Sequence, residues 1–358
     1  MEKRSRSRRR QPDKSLKKWI LPLVFLFTVI IVGRRYMYYR AQYLKQAELD
    51  ESLEYHPVPF EPEQDHRIEW TDRVLEDKIR GVIDKGQGDI YLSDLWDCAV
   101  LRLNRDIYSA RSEFVSDISS LAGLKNLRHL ELNNNCITDI SAVSTMENLD
   151  TLMLHGNRIL DFSPLNSLAR LDTLILSSTH LNGEDLECLS GLKNLGMLVL
   201  DFNDIESLDA LRNLDIVFLS LKWNQITDIK PLAGLKEHLW YLVLDRNQIE
   251  NIEPLAECYW LENLSLSYNH ITDIEPLKNL YRLEILDLRN NNISELPDFI
   301  SMTSLAVLRL QNNNITTEEW KKIRLPQSPI TIYLSGNPIT DLETDREYPF
   351  LHIVFEDE

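Results

Sequence analysis

The chain has 358 residues, 43% of them hydrophobic and 27% charged, which suffices for one or two domains and is too apolar for a disordered chain. Its net charge of −17 divides unevenly: residues 1–45 hold 13 Lys/Arg against 2 Asp/Glu and residues 46–358 hold 26 against 54, a +11 head on a −28 body. Such a body repels phosphates, which argues against nucleic acid as its ligand, and 11 glycines leave little material for phosphate-cradling loops.

Residues 1–18 form a basic tail with nine Lys/Arg. Trp19 to Gly33 then runs without a charge, and continued to Tyr39 it gives a helix of 21 residues, about 31 Å long and sufficient for a bilayer. Arg34 and Arg35 would snorkel outward, with Tyr36, Tyr38 and Tyr39 at headgroup level. Nine positive charges before the segment and four after it (Arg34, Arg35, Arg40, Lys45) favour a cytoplasmic N-terminus and an exported body. Residues 19–39 are therefore read as an uncleaved signal anchor. A cleaved signal is the alternative, but no A-x-A-like site follows the apolar run. Residues 40–65, acidic and with prolines at 57, 59 and 62, read as a juxtamembrane spacer. Residues 66–99 follow as a helical cap, in which Thr71 or Asp72 opens an amphipathic helix with Val74, Ile79, Val82 and Ile83 as its apolar positions.

From about 100 to 340 an eleven-residue phrase, L-x-x-L-x-L-x-x-N-x-[IL], recurs: LRHLELNNNCI at 127–137, LDTLMLHGNRI at 149–159, LWYLVLDRNQI at 239–249 and LAVLRLQNNNI at 305–315 are four of its copies. The asparagine column falls at Asn135, Asn157, Asn203, Asn224, Asn247, Asn269, Asn291, Asn313 and Asn337, with Thr179 replacing one member, at a period near 22. Each period is one coil of a solenoid, with a short strand at x-x-L-x-L whose leucines point inward. Stacked strands make a parallel sheet on the concave face. The asparagines are read as structural, because a buried amide serves unpaired backbone groups of its own and adjacent turns, and Thr179 as a looser coil. Pro231, Pro254 and Pro276 fit the first position of short 3₁₀ turns on the convex side. Asp139, Asp228 and Asp273 serve there as local acceptors. Phe350 to Phe355 supplies a last strand, within a C-terminal cap and acidic tail at 341–358.

These phrases resemble the 22-residue class of leucine-rich repeats, found in bacterial internalin-like surface proteins and in a eukaryotic phosphatase-regulator family. The segment GDIYLSDLWDCAVLRL at 88–103 looks like the DL-containing first strand of the bacterial group. The resemblance implies an α/β leucine-rich-repeat solenoid that binds other molecules. No C-terminal L-P-x-T-G sorting motif is present, so the N-terminal anchor would take its place.

Outward positions lie six, four and two residues before each asparagine, with a border position immediately before it. In the central coils these are Met197, Val199, Asp201 and Phe202, then Phe218, Lys222 and Trp223, then Tyr241, Val243, Asp245 and Arg246, then Tyr268. Aromatic residues, an arginine and acids on one wet face compose a protein-binding centre. The alternative is that the rings merely pack along the sheet.

Chemistry is harder to find. The cysteines at 98, 136, 188 and 258 form no C-x-x-C pair and are read as free thiols. His129 and His155 are expected as neighbours on adjacent strands, with a metal improbable there; no nucleophile elbow or P-loop occurs. The sequence thus predicts a non-enzymatic, cofactor-free, membrane-anchored extracellular protein that binds a protein or cell-envelope ligand noncovalently on its concave face. A cytosolic scaffold like the phosphatase regulators, or an envelope spacer without a ligand, are the alternatives.

Overall fold

A computed structural model describes residues 57–105, 113–340 and 351–355. Within them, twelve parallel strands form one sheet in strict chain order: β1 (Val100–Arg102), β2 (His129–Glu131), β3 (Thr151–Met153), β4 (Thr173–Ile175), β5 (Met197–Val199), β6 (Phe218–Ser220), β7 (Tyr241–Val243), β8 (Asn263–Ser265), β9 (Ile285–Asp287), β10 (Val307–Arg309), β11 (Ile330–Tyr333) and β12 (Leu351–Val354). Strand order equals chain order because each coil is one supersecondary unit that buries its leucines only against its neighbours. The central leucines, from Leu101 in β1 to Leu308 in β10, are fully buried and make one continuous core. Burying each one contributes about 1.5–3 kcal/mol.

The asparagine amides tie successive coils together. Asn157 Nδ2 donates to Leu154 O of its own coil (2.8 Å) and to Leu132 O of the coil before (3.0 Å), while its Oδ1 accepts from Ile137 N (3.0 Å). Asn135, Asn203, Asn224, Asn247, Asn269, Asn291, Asn313 and Asn337 repeat this pattern. Thr179, fully buried, keeps the bond within its coil through Oγ1 to Leu176 O (2.7 Å) but makes none to the coil before. Its strand β4 is regular; the irregularity lies in the turn, where both Ser178 and His180 have positive φ.

On the opposite side the coils carry short 3₁₀ turns. Pro231, Pro254 and Pro276 stand at the second position of theirs, Lys230–Leu235, Glu253–Leu255 and Glu275–Leu277, rather than at the first. Asp139, Asp228 and Asp273 accept from the backbone N–H two residues on, at 2.7, 2.9 and 2.8 Å. One coil carries a short α-helix, Thr317–Lys322, instead of a 3₁₀ turn; Thr316 caps it, acids occupy its first turn, lysines its last, and Trp320 anchors it in the core.

At the N-terminal end, α1 (Arg73–Val82) begins at Asp72, whose Oδ1 accepts from Leu75 N. Ile79 is fully buried and Val74 and Ile83 pack half-buried against the core, in line with the expected stripe; Leu75 is buried as well, whereas Val82, expected inside, is exposed. The other Asp72 oxygen accepts from Ser116 N (2.7 Å), Ser116 Oγ (2.9 Å) and Asp117 N (3.2 Å), which bolts the helix to the first coil. The Asp-Leu pair at 94–95 lies in a second short helix, α2 (Leu92–Leu95), and not in the first strand. Within the spacer expected over 40–65, Val58 exchanges bonds with Asn126 (2.7 and 3.0 Å) and accepts from Trp96 Nε1 (2.8 Å), with Phe60 edge-on to Trp96; residues 40–56 lie outside the described ones. Among the described residues no helix is long and apolar enough to cross a membrane; residues 19–39 lie outside them.

Candidate functional site

The chain leaves each of the strands β2 to β11 through a residue in the left-handed region. In ten successive coils this residue is Asn134, Gly156, Ser178, Phe202, Trp223, Arg246, Tyr268, Asn290, Asn312 and Gly336, all with φ between 55° and 73°. Glycine and asparagine suit that conformation, and a bulky side chain there costs on the order of 1 kcal/mol. Four consecutive central coils nevertheless place large side chains in it.

Those four form a single stack. Phe202 and Trp223 lie face to face, 5.7 Å between centroids and 19° between planes. The Arg246 guanidinium carbon sits 4.3 Å from the Trp223 ring centroid and 3.7 Å from that of Tyr268. Stacking of this kind returns about 0.5–1.5 kcal/mol per contact, which offsets the backbone cost without exceeding it clearly. Phe202, Trp223 and Tyr268 remain 40%, 46% and 41% exposed.

The rest of the expected patch is drier than predicted. Met197, Val199, Asp201 and Phe218 are buried, at 2–6% exposure, so the sequence reading of them as wet is corrected. Register explains part of this: Met197 stands between Thr173 and Phe218, Val199 between Ile175 and Ser220, and Phe218 stacks on Tyr241 at 5.5 Å. Tyr241, Val243, Lys222 and Asp245 are half-buried along the same face.

Beside the stack Asp201 and Asp245, two coils apart, are held by serines of the coil that follows each. Asp201 Oδ1 accepts from Ser220 Oγ (2.6 Å) and Lys222 N (2.9 Å). Asp245 Oδ1 accepts from Ser265 Oγ, from Ser267 N (2.9 Å) and from Ser267 Oγ (2.8 Å). Asp287 is paired with Arg289 (2.7 Å). Burial pushes the Asp201 carboxyl above its ordinary value, against the opposing pull of Ser220 and Lys222.

His129 and His155 are not neighbours. His129 pairs in register with Thr151, and its Nε2 meets Glu131 Oε1 at 2.7 Å, while His155 lies beside Asn133 with Nδ1 on Ser177 O at 3.0 Å. The 26-residue separation exceeds one coil, so the two rings fall in different columns. Among the described residues no three His, Cys, Asp or Glu side chains gather as metal ligands. A recess of about 470 Å³ lies near Arg212, Asp215, Lys230, Gly234 and His238, with His238 Nε2 3.5 Å from Asp215 and no hydroxyl or thiol among the residues lining it.

The sequence reading missed the opposite border. Trp240 and Trp260 stack there at 5.8 Å and 4°, Arg282 covers Trp260 at 4.1 Å, and Tyr259 stacks on Tyr281 at 6.4 Å. The signal was available: Tyr259 to Tyr281 and Trp260 to Arg282 are each one 22-residue step, in columns just outside the eleven-residue phrase.

Comparison with known proteins bears on this scaffold. The leucine-rich-repeat family model matches residues 125–167 and 260–301. An internalin (InlF) of Listeria monocytogenes is similar in structure, with a TM-score of 0.62 and 26% identity over 81% of this chain and 96% of that one. Internalin C2 of the same organism gives 0.55 and 33% identity over 61% of this chain and 93% of its own. A plant peptide hormone receptor, RGFR1, solved in complex with RGF2, shares the fold at 20% identity and a TM-score of 0.52 over 66% of this chain and 42% of that one. A search of curated proteins by sequence gives no match.

Proposed function

The chain belongs to the leucine-rich-repeat proteins of internalin-like type, and from that premise we propose that it captures a protein ligand on the border formed by Phe202, Trp223, Arg246 and Tyr268. The observation that carries this reading is the left-handed column. Four adjacent coils give up the residues that suit the turn in favour of large side chains, of which Phe202, Trp223 and Tyr268 stay exposed and Arg246 is half-buried. Strain maintained at one place, with no core to fill there, is a mark of a site selected for contact. Lys222, Tyr241, Val243 and Asp245 flank the stack and complete the surface. Met197, Val199, Asp201 and Phe218 lie buried on the same face. The protein acts by binding and not by catalysis.

We also propose that residues 19–39 anchor the chain in the cell membrane, N-terminus inside, with the repeats displayed outside. The charge asymmetry around that segment supports this, as does the internalin-like type of the repeats. Replacing Phe202, Trp223 and Tyr268 together by Asn, which suits the turn, is expected to abolish ligand capture with melting nearly unchanged. Capture at the wild-type level by this variant would refute the binding border. Protease added to intact cells is expected to digest the repeats; their survival until lysis would refute display outside.

A further inference from the structure

Arg246 is held between two rings, whereas Arg105, Arg282 and Arg309 each lie over one. Arg80, Arg102, Arg128, Arg212, Arg289 and Arg324 all meet a carboxylate. Acids outnumber bases 54 to 26 over residues 46–358, so a counterion is easy to find. Arg246 has none among the described residues; its contacts are the two rings. The nearest acid in sequence, Asp245, is turned to the neighbouring coil, where Ser265 and Ser267 occupy its Oδ1.

We infer that Arg246 is the anchor for a side-chain carboxylate, Asp or Glu, of an extended partner segment that crosses the stack. This rests on the binding border proposed above and names the chemistry of what it binds. The guanidinium carbon is held 4.3 Å from the Trp223 centroid and 3.7 Å from that of Tyr268, and its N–H donors have no carboxylate partner among the described residues. A planar carboxylate accepts two parallel hydrogen bonds from a guanidinium, which a lysine ammonium in the same place could not supply. The ring edges of Phe202, Trp223 and Tyr268 carry the positive end of the aromatic quadrupole, so the exposed rim attracts an anion along its length. The −28 body sets an upper limit on that anion: it tolerates one negative charge more readily than a phosphate dianion. Arg246 is the third of four layers, flanked by rings on both sides. A passing chain with an internal acid flanked by apolar residues therefore fits better than a chain end.

Panning a random-peptide library on the full chain, and then measuring the selected peptides against variants, tests this. The expected binders carry Asp or Glu between apolar residues and lose binding to Trp223→Asn. Arg246→Gln is expected to weaken them about tenfold or more. Asp→Asn or Glu→Gln in the peptide weakens binding by the same factor, with no further loss when both changes are combined. Arg246→Lys keeps the charge without the fork and is expected to recover only part of the affinity. Binders that depend on Trp223 but not on Arg246 would overturn the carboxylate anchor and leave the border standing. Loss of binding on amidation of the peptide C-terminus alone would assign Arg246 to a chain end instead. Tighter binding when phosphoserine replaces the acid would assign it to phosphate. Binders indifferent to both Trp223→Asn and Arg246→Gln would overturn the border itself.

Discussion

Removing one amide from the middle of the ladder tests the physical basis of the fold. Asn247 Nδ2 donates to Leu221 O at 2.9 Å and Leu244 O at 3.0 Å, and its Oδ1 accepts from Ile226 N at 3.1 Å. In Asn247→Ala the Ile226 N–H is left in the interior without an acceptor, at a cost of about 1–3 kcal/mol. The two carbonyls fare better, because Asn224 still donates to Leu221 O and Asn269 to Leu244 O, each at 3.0 Å. Losing a second donor at each adds on the order of 0.5–1 kcal/mol. The total is about 2–5 kcal/mol, and at about 2 °C per kcal/mol for a chain of this size Tm falls by roughly 4–10 °C. Asn337 makes the same three bonds but is only partly buried near the end of the sheet, so water replaces its amide and Asn337→Ala should cost no more than about 1 kcal/mol. Thermal unfolding followed by circular dichroism reads both. An Asn247→Ala midpoint within about 1 °C of wild type, or equal losses for the two variants, would refute burial as the reason these amides matter.

The remaining predictions concern groups placed by the same coils. Asp201 binds its proton more tightly folded than unfolded, so its ionisation makes stability fall as pH rises from its ordinary value of 3.8 through the raised one. Asp201→Asn keeps an acceptor for Ser220 and should flatten that slope; urea midpoints that change identically with pH in both proteins would contradict it. Gly234 lies against the preceding coil, where a Cβ would stand 2.0 Å from Arg212 O. Gly234→Ala should therefore cost about 1–3 kcal/mol in denaturant unfolding, and a neutral effect would show that the coils can slide apart. Burial pushes the Cys188 and Cys258 thiols up to about 12, whereas Cys136 is exposed. Iodoacetamide at neutral pH should label Cys136 in the native protein and the other two only after unfolding, as read by peptide mass spectrometry.

The parts of this molecule legible in the sequence are those that repetition enforces. Leu at two strand positions and Asn three residues later give the sheet, its parallel order and the amide bonds, because one coil's solution is reused by all. What escaped is what happens once. Leu75 carries the cap helix into the core, yet a single helical turn of sequence does not say that it points inward beside Val74. The Asp-Leu pair at 94–95 is helical because Tyr91 and Asp94 cap each other locally, ahead of any strand pairing. Val58 belongs to the body through bonds to Asn126 and Trp96, which lie 68 and 38 residues away and leave no trace in local pattern.

The candidate site divides along the same line. Column position identifies Phe202, Trp223, Arg246 and Tyr268, since the residue before each asparagine recurs with the coil. It does not say that this position is left-handed, nor that the four side chains stack, and these two facts turn a list of aromatics into a surface. A left-handed turn prefers Asn or Gly, which Asn134, Gly156, Asn290, Asn312 and Gly336 supply in the outer coils. The stack recovers through ring and cation contacts about what the turns lose, so stability is close to indifferent between the two choices. Where stability is indifferent, it cannot be what maintains four large side chains in adjacent coils; contact with something outside the chain can. By the same reasoning the Trp240, Trp260 and Arg282 border carries less weight, because none of those residues occupies a left-handed turn and stacking alone accounts for them.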